Sequence, residues 1–221
     1  MVEIAPSFLE VKEGENIIKL IYDLETANID YFHIDVVDGE FIPRNTVERM
    51  MNYSTTMKQI SNIPLDVHLM VKDPRKYVDE YLALNPSIIT FHIEVIENEK
   101  EVLDLIQYIK ENGSRVGISM NPATKAETIF QYLDKIHVAH FMSVEPGYGG
   151  QGFIPEVMDK MKELKQYIDI HNLEVDIEVD GGINDKTIEI AKNAGANIMV
   201  CGSYLMNSED YKETVKKLKN V

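Results

Sequence analysis

His33 and Asp35 stand two residues apart in Tyr31 to Pro43, YFHIDVVDGEFIP. In a pleated strand that spacing points both side chains to one face and Ile34 and Val36 to the other. Asp38-Gly39 then breaks the strand. Histidine and aspartate can bind a metal ion or move a proton. Alone, His-x-Asp is ordinarily a pair of buried polar side chains that satisfy each other. The chain, however, repeats the arrangement.

His68 and Met70 end DVHLMV, His92 and Glu94 end TFHIE, and Glu178 and Asp180 end IEVDGGI. Ser7 closes the first apolar stretch and Asn121 sits in GISMNPAT. Met142 and Ser143 lead into VEPGYGGQGF, and Gly202 and Ser203 close the last stretch. His33, Asp35, His68 and Asp180 form a two-histidine, two-carboxylate set drawn from three strands. Such a set suits a tetrahedral or five-coordinate divalent metal with room for substrate oxygens. The competing account is that buried histidines satisfy the carboxylates without metal. Four ligand-type residues at equivalent strand ends weigh against it.

Glycines make a second constellation. Glu145 to Gly152, EPGYGGQG, is too glycine-rich for an ordinary connector, and its amides can close around an anion. Gly181-Gly182 and Gly202-Ser203 follow the last two strands, where barrels commonly hold phosphate against a helix N-terminus. Tight-turn chemistry explains each cluster singly, but three clusters after consecutive strands less well. No Lys or Arg is required, in keeping with the few basic residues expected near the mouth.

These residues need elements to hold them. Strands are expected at Val2–Phe8, Tyr31–Val37, Pro64–Val71, Ser87–Glu94, Arg115–Asn121, His137–Glu145, Glu174–Asp180 and Ile198–Ser203. Several are near-continuous apolar runs, as covered parallel strands are. Helical periodicity lies between them, as in Ile17, Ile18, Leu20, Ile21 and Leu24. Asn98 with Glu101, Thr124 with Glu127, Asn184 and Ser208 read as N-caps. Pro155 suits a first turn, and Gly113 and Gly195 suit helix ends. Only Thr46 to Ile60 has a loose period. Eight β-then-α units predict a single (β/α)8 TIM barrel over residues 1–221, whose active residues belong at the C-terminal ends of the strands. An open doubly wound sheet is disfavoured because no Gly-x-Gly-x-x-Gly follows the first strand.

Composition sets limits. Apolar residues make up 44% of 221, enough for a sizeable core, and the formal net charge is −15. That charge argues against nucleic acid and anionic membrane partners. Cys201 is the only cysteine, so no intramolecular disulfide or multi-cysteine metal site is possible. MVEIAPSFLEVKEGEN lacks a signal-peptide pattern. No apolar run approaches the roughly 18 residues a membrane span needs. A cytoplasmic location is expected.

The motifs APSFL, HIDVVDGEFIP, DVHLMV, FHIE, MNPAT, MSVEPGYGGQGFIP, IEVDGGI and AGANIMVCGS together resemble the ribulose-phosphate 3-epimerase family over essentially the whole chain. The resemblance implies a metal-dependent (β/α)8 isomerase interconverting D-ribulose 5-phosphate and D-xylulose 5-phosphate in pentose phosphate metabolism. By resemblance, His33, Asp35, His68 and Asp180 are metal ligands, and Asp35 and Asp180 are also the acid/base pair. Ser7, His68, Met70, Met142, Gly147, Tyr148, Gly149, Gly150, Gly181, Gly182, Gly202 and Ser203 match substrate-binding positions. Zinc is the expected metal, with Fe2+, Mn2+ or Co2+ also used in the family, and a homo-oligomer is expected. The chain departs from the family at Val37, usually Met, and Arg44, usually Asn. It also lacks the Thr-x-Gly pattern between Asn45 and Thr56. These departures touch the pocket wall and spare the metal set.

Inverting C3 of a ketose needs one base on each face of the carbon, and two carboxylates from strands two and seven supply that. Three other readings stand beside this one. They are a D-allulose 6-phosphate 3-epimerase, a metal-independent phosphate-binding barrel lyase and an inactive binding protein. The lyase leaves both histidines unexplained, and the intact four-residue set opposes the last.

Overall fold

The computed structural model describes residues 2–12 and 14–221. The strands are β1 (Glu3–Pro6), β2 (Phe32–Val37), β3 (Leu65–Met70), β4 (Ile88–His92), β5 (Arg115–Met120), β6 (Val138–Met142), β7 (Asp176–Asp180) and β8 (Ile198–Cys201). Between them lie α1 (Ile17–Thr26), α2 (Val47–Ile60), α3 (Pro74–Leu82), α4 (Glu99–Glu111), α5 (Val157–His171) and α6 (Thr187–Asn193). The short α7 (Ser203–Met206) and α8 (Tyr211–Lys219) follow β8.

The strands pair in parallel in the order β1-β8-β7-β6-β5-β4-β3-β2. The ring closes between β1 and β2, where Ser7 bridges His33 and the Phe8 amide donates to the His33 carbonyl over 3.2 Å. This is the expected (β/α)8 barrel. No helix among the described residues is long and apolar enough to cross a membrane.

Local chemistry departs from the sequence expectations in four places. The stretch of loose period is the regular helix α2, whose buried face is Met50, Ser54 and Met57. Ser54 satisfies itself by donating to the Met50 carbonyl over 2.7 Å, so a polar residue interrupts the apolar stripe without breaking the helix. After β5 the chain forms a 3-10 helix, Ala126–Tyr132, and Thr124 does not cap it. Its hydroxyl instead donates to the Glu94 carboxylate. Asn98 does cap α4, accepting from the Lys100 amide, but Glu101 makes no return bond. Asp210, rather than Ser208, caps α8 through the Glu213 amide at 3.0 Å.

The barrel interior is built in layers. Ala5, Tyr31, Ile88, Val138, Ile198 and Val200 form an apolar cluster of their own. Stepping two residues along several of those strands reaches a polar level. His33, Asp66, Thr90, His92, Ser119, His140 and Glu178 are all fully buried. A middle filled by ionisable groups where branched aliphatics usually pack costs desolvation unless each group is paired. Gly117 makes the space, since a Cβ there would lie 2.1 Å from the Thr90 hydroxyl oxygen.

Candidate active site

Asp35 is held from three sides. The Ser7 hydroxyl donates to its Oδ2 over 2.6 Å. Its Oδ1 lies 3.2 Å from His68 Nδ1 and 3.4 Å from His33 Nε2. Thr46, buried before α2, locks the backbone by donating to the Asp35 carbonyl and accepting from the Val37 amide. Burial opposes ionisation of Asp35, but the His33 charge and the hydrogen bond from His68 outweigh it and hold the carboxyl well below its ordinary value.

His33 Nδ1 lies 2.5 Å from Asp66 Oδ2, with Glu178 Oε1 3.6 Å away. A proton on Nδ1 therefore faces Asp66, and Nε2 turns toward Asp35 and Asp180 with no hydrogen-bond partner. Burial works against protonation of this ring, yet Asp66 and Asp35 raise its pKa well above the ordinary value. Glu178 is shifted upward as well, because burial and then the Asp66 charge raise its carboxyl well above the ordinary value.

His68 reaches Asp35 with Nδ1, and its Nε2 lies 2.9 Å from His92 Nε2. His92 Nδ1 lies 3.1 Å from Glu94 Oε2, and Glu94 Oε1 accepts from the Asn121 amide over 2.8 Å. The orientation of His68 is thus set by a chain running to the end of β5. Burial lowers its pKa to about 4, so the ring is neutral.

Asp180 ends β7, where Ser143 fixes the backbone. The Ser143 amide donates to the Asp180 carbonyl over 2.7 Å and its hydroxyl to the Gly181 carbonyl over 2.7 Å. Asp180 Oδ2 sits 3.7 Å from His68 Nδ1 and 3.9 Å from His33 Nε2. Burial and then the Asp35 charge push its pKa up to about 7. The two carboxyls therefore divide, with Asp35 ionised and Asp180 holding its proton into the neutral range.

Asp35 and Asp180 each approach both His33 and His68. Around a tetrahedral ion with bonds of about 2.0–2.1 Å, donors stand roughly 3.3 Å apart. The observed separations between carboxylate oxygens and imidazole nitrogens, 3.2 to 3.9 Å, fit a divalent cation. The buried, unpartnered Nε2 of His33 is the atom that such a cation would satisfy.

Above these donors opens a cavity of about 410 Å³. Asp35 and Asp180 form part of its lining, with Ser7, Met70, Met142, Gly147, Tyr148, Gly149, Gly150, Gly181, Gly182, Gly202 and Ser203. Of the sequence-matched substrate positions only His68 is absent from the lining, being buried beneath. Arg44 ties the rim together. It donates to Glu10 Oε1 over 2.7 Å, to the Gly147 carbonyl over 2.9 Å and to the Leu9 carbonyl over 3.2 Å. Glu10 Oε1 also accepts from the Gly149 amide over 3.0 Å. The mouth is not without cations, since Lys186 lines it beside Asn184.

Sequence reasoning missed Asp66, His140 and Lys186. Asp66 lies two residues before His68 and His140 two before Met142, so continuing the same alternation down each strand would have found both. Asp38 stands at a strand end for a structural reason. Its carboxylate accepts from the Glu40, Phe41 and Lys72 amides and folds the loop after β2.

Fold and site together define a class: a (β/α)8 barrel enzyme with paired carboxylates under a glycine-lined pocket. The chain matches the profile of the Ribulose-phosphate 3 epimerase family over residues 3–206. It is 38% identical over 220 residues to the ribulose-phosphate 3-epimerase of Helicobacter pylori (strain J99 / ATCC 700824), covering 99% of this chain and 97% of that one. It is 37% identical over 225 residues to that of Escherichia coli (strain K12), covering 98% and 94%. Among solved structures it resembles the tryptophan synthase A-subunit of Pyrococcus furiosus, with a TM-score of 0.71, 14% identity and coverage of 100% and 98%, a likeness of fold. The chain belongs to the ribulose-phosphate 3-epimerase family, and it is an isomerase acting on carbohydrates.

Proposed function

We propose that this enzyme inverts C3 of a ketose phosphate, with D-ribulose 5-phosphate and D-xylulose 5-phosphate as its substrate pair. The observation that carries the reading is the meeting of two carboxyls, Asp35 from β2 and Asp180 from β7, in the lining of one cavity. The whole chain serves as one domain, and neither its net charge of −15 nor its pocket favours a nucleic-acid partner. A cytoplasmic homo-oligomer is the form in which we expect it to act.

The C3 hydrogen lies next to the C2 ketone and is only weakly acidic. Asp35, ionised, takes it from one face. Asp180, protonated, returns a proton to the other face, which inverts the carbon. The transfer leaves Asp35 protonated and Asp180 ionised, the state that accepts the opposite epimer. Ser7 keeps Asp35 Oδ2 aimed while Oδ1 faces the histidines. His33, Asp35, His68 and Asp180 would hold a divalent cation, and mixed imidazole and carboxylate donors favour zinc among those expected. Such an ion supplies electrostatic stabilisation of the negative charge that develops on the substrate oxygens.

Phosphate would be held by backbone amides at Gly182, Gly202 and Ser203, with Gly147 to Gly150 closing from the side. Lys186 adds a cation at the rim that backbone donors alone would not provide. The test is elemental analysis of purified enzyme together with epimerase assays on D-ribulose 5-phosphate and D-allulose 6-phosphate. Bound divalent metal and a clear preference for the pentulose are expected. Full activity in verified metal-free enzyme, or a preference for the hexulose, would contradict the proposal.

A further inference from the structure

We infer that His140 is a further metal ligand, a third imidazole outside the two-histidine, two-carboxylate set. This rests on the metal reading of the site proposed above. His140 sits mid-strand on β6, two residues before the pocket residue Met142, and is fully buried. Its Nδ1 lies 2.9 Å from the Ser119 hydroxyl oxygen. Its Nε2 has no hydrogen-bond partner. That nitrogen lies 4.0 Å from Asp180 Oδ2, the oxygen that also faces His68 Nδ1 at 3.7 Å and His33 Nε2 at 3.9 Å. One donor atom from each of His33, His68, His140 and Asp180 falls within 4.8 Å of the others.

The bland alternative is a core histidine satisfied by its neighbours. Such a residue uses both nitrogens, as buried polar groups generally do. His140 uses one. Ser119 can accept from Nδ1–H, and that tautomer turns the Nε2 lone pair toward the other donors, the outer-shell arrangement typical of ligating histidines. The ring is also locked in place, with its centroid 4.3 Å from that of His68 and 6.0 Å from that of His33. An aliphatic side chain would fill the position without an unpaired nitrogen. The ring's presence is explained if a cation occupies the space between it and Asp180.

A third imidazole makes the donor set richer in nitrogen. Imidazole suits zinc and iron, whereas carboxylate and water suit manganese and magnesium. His140 would therefore widen the preference for zinc over manganese.

Zinc-edge X-ray absorption of the zinc-loaded wild-type enzyme counts the imidazoles directly. Three are expected in the wild type and two in His140→Leu. Chelator competition should show His140→Leu losing at least about tenfold in zinc affinity, the scale that even outer-shell changes reach, and less in manganese affinity. Bound zinc with two imidazoles in the wild type would overturn the inference while sparing the metal reading, even if the variant does not fold. Unchanged zinc affinity in a folded variant would also overturn it. Failure of the wild type to bind any divalent metal would overturn both.

Discussion

His33 Nδ1 lies 2.5 Å from the buried carboxylate of Asp66, which stands two residues before His68 on the adjacent strand. One strand thus supplies both a donor to the centre and the group that orients a donor from its neighbour. The contact fixes the His33 ring and raises its basicity, as carboxylate–histidine pairs do at metal centres. Asp66→Asn keeps the shape but removes the charge. Metal affinity measured by chelator competition is expected to fall 10–100-fold. Wild-type affinity in a folded Asp66→Asn protein would show that the pair is merely structural.

Glu94 gives a pH-dependent stability. Burial raises its pKa, but the bonds from His92, Thr124 and the Asn121 amide win and hold it down at about 2, against an ordinary 4.5. A depressed folded value stabilises the protein above the unfolded pKa, and that contribution disappears as pH falls from about 4.5 toward 2. The shift corresponds to on the order of 3 kcal/mol. Urea unfolding of wild type and Glu94→Gln should therefore differ most at neutral pH and converge only as the pH approaches 2. A gap that stays constant across that range would remove Glu94 as its source.

Gly182 and Gly202 should respond differently to the same change. Gly182 has φ +64, and a Cβ there would lie 2.7 Å from the Phe153 amide nitrogen. Backbone cannot yield cheaply, so Gly182→Ala is expected to cost about 1–3 kcal/mol, to lower Tm by several degrees and to raise KM for the phosphorylated ketose more than it lowers kcat. Gly202 has φ −87, and the nearest atom to an added Cβ is Ser7 Cβ at 4.0 Å. Gly202→Ala should leave Tm unchanged. Equal Tm losses in both variants would mean that the loop contact with Phe153 does not discriminate between them.

The barrel could be read from the sequence because its strands and helices carry different apolar periods, and several strand ends carry a polar pair at period two. His33 and Asp35 were legible for that reason as a pair at period two, His68 as a histidine near a strand end and Asp180 through its neighbour Gly181. Asp66 and His140 were not, because they stand inside apolar runs where a polar residue looks like noise. Only closure of the ring brings Asp66 to His33 Nδ1 and His140 toward Asp180. The rim was obscure for another reason. Arg44, Glu10 and Gly149 meet from three separate loops, and no local pattern records that meeting. Cap assignments failed where a tertiary partner won, as when Thr124 turned to Glu94.

The division of labour between Asp35 and Asp180 is tested most directly by hydrogen exchange at C3 in heavy water. Asp180→Asn keeps the Asp35 base and loses the opposite acid. Loaded with metal, it should exchange the C3 hydrogen of one epimer with solvent and return deuterium to the same face without inversion. Asp35→Asn, its metal content checked in the same way, should exchange the other epimer instead. Exchange of the same epimer by both variants, or epimerisation at the wild-type rate by either, would contradict the assignment of one carboxyl to each face.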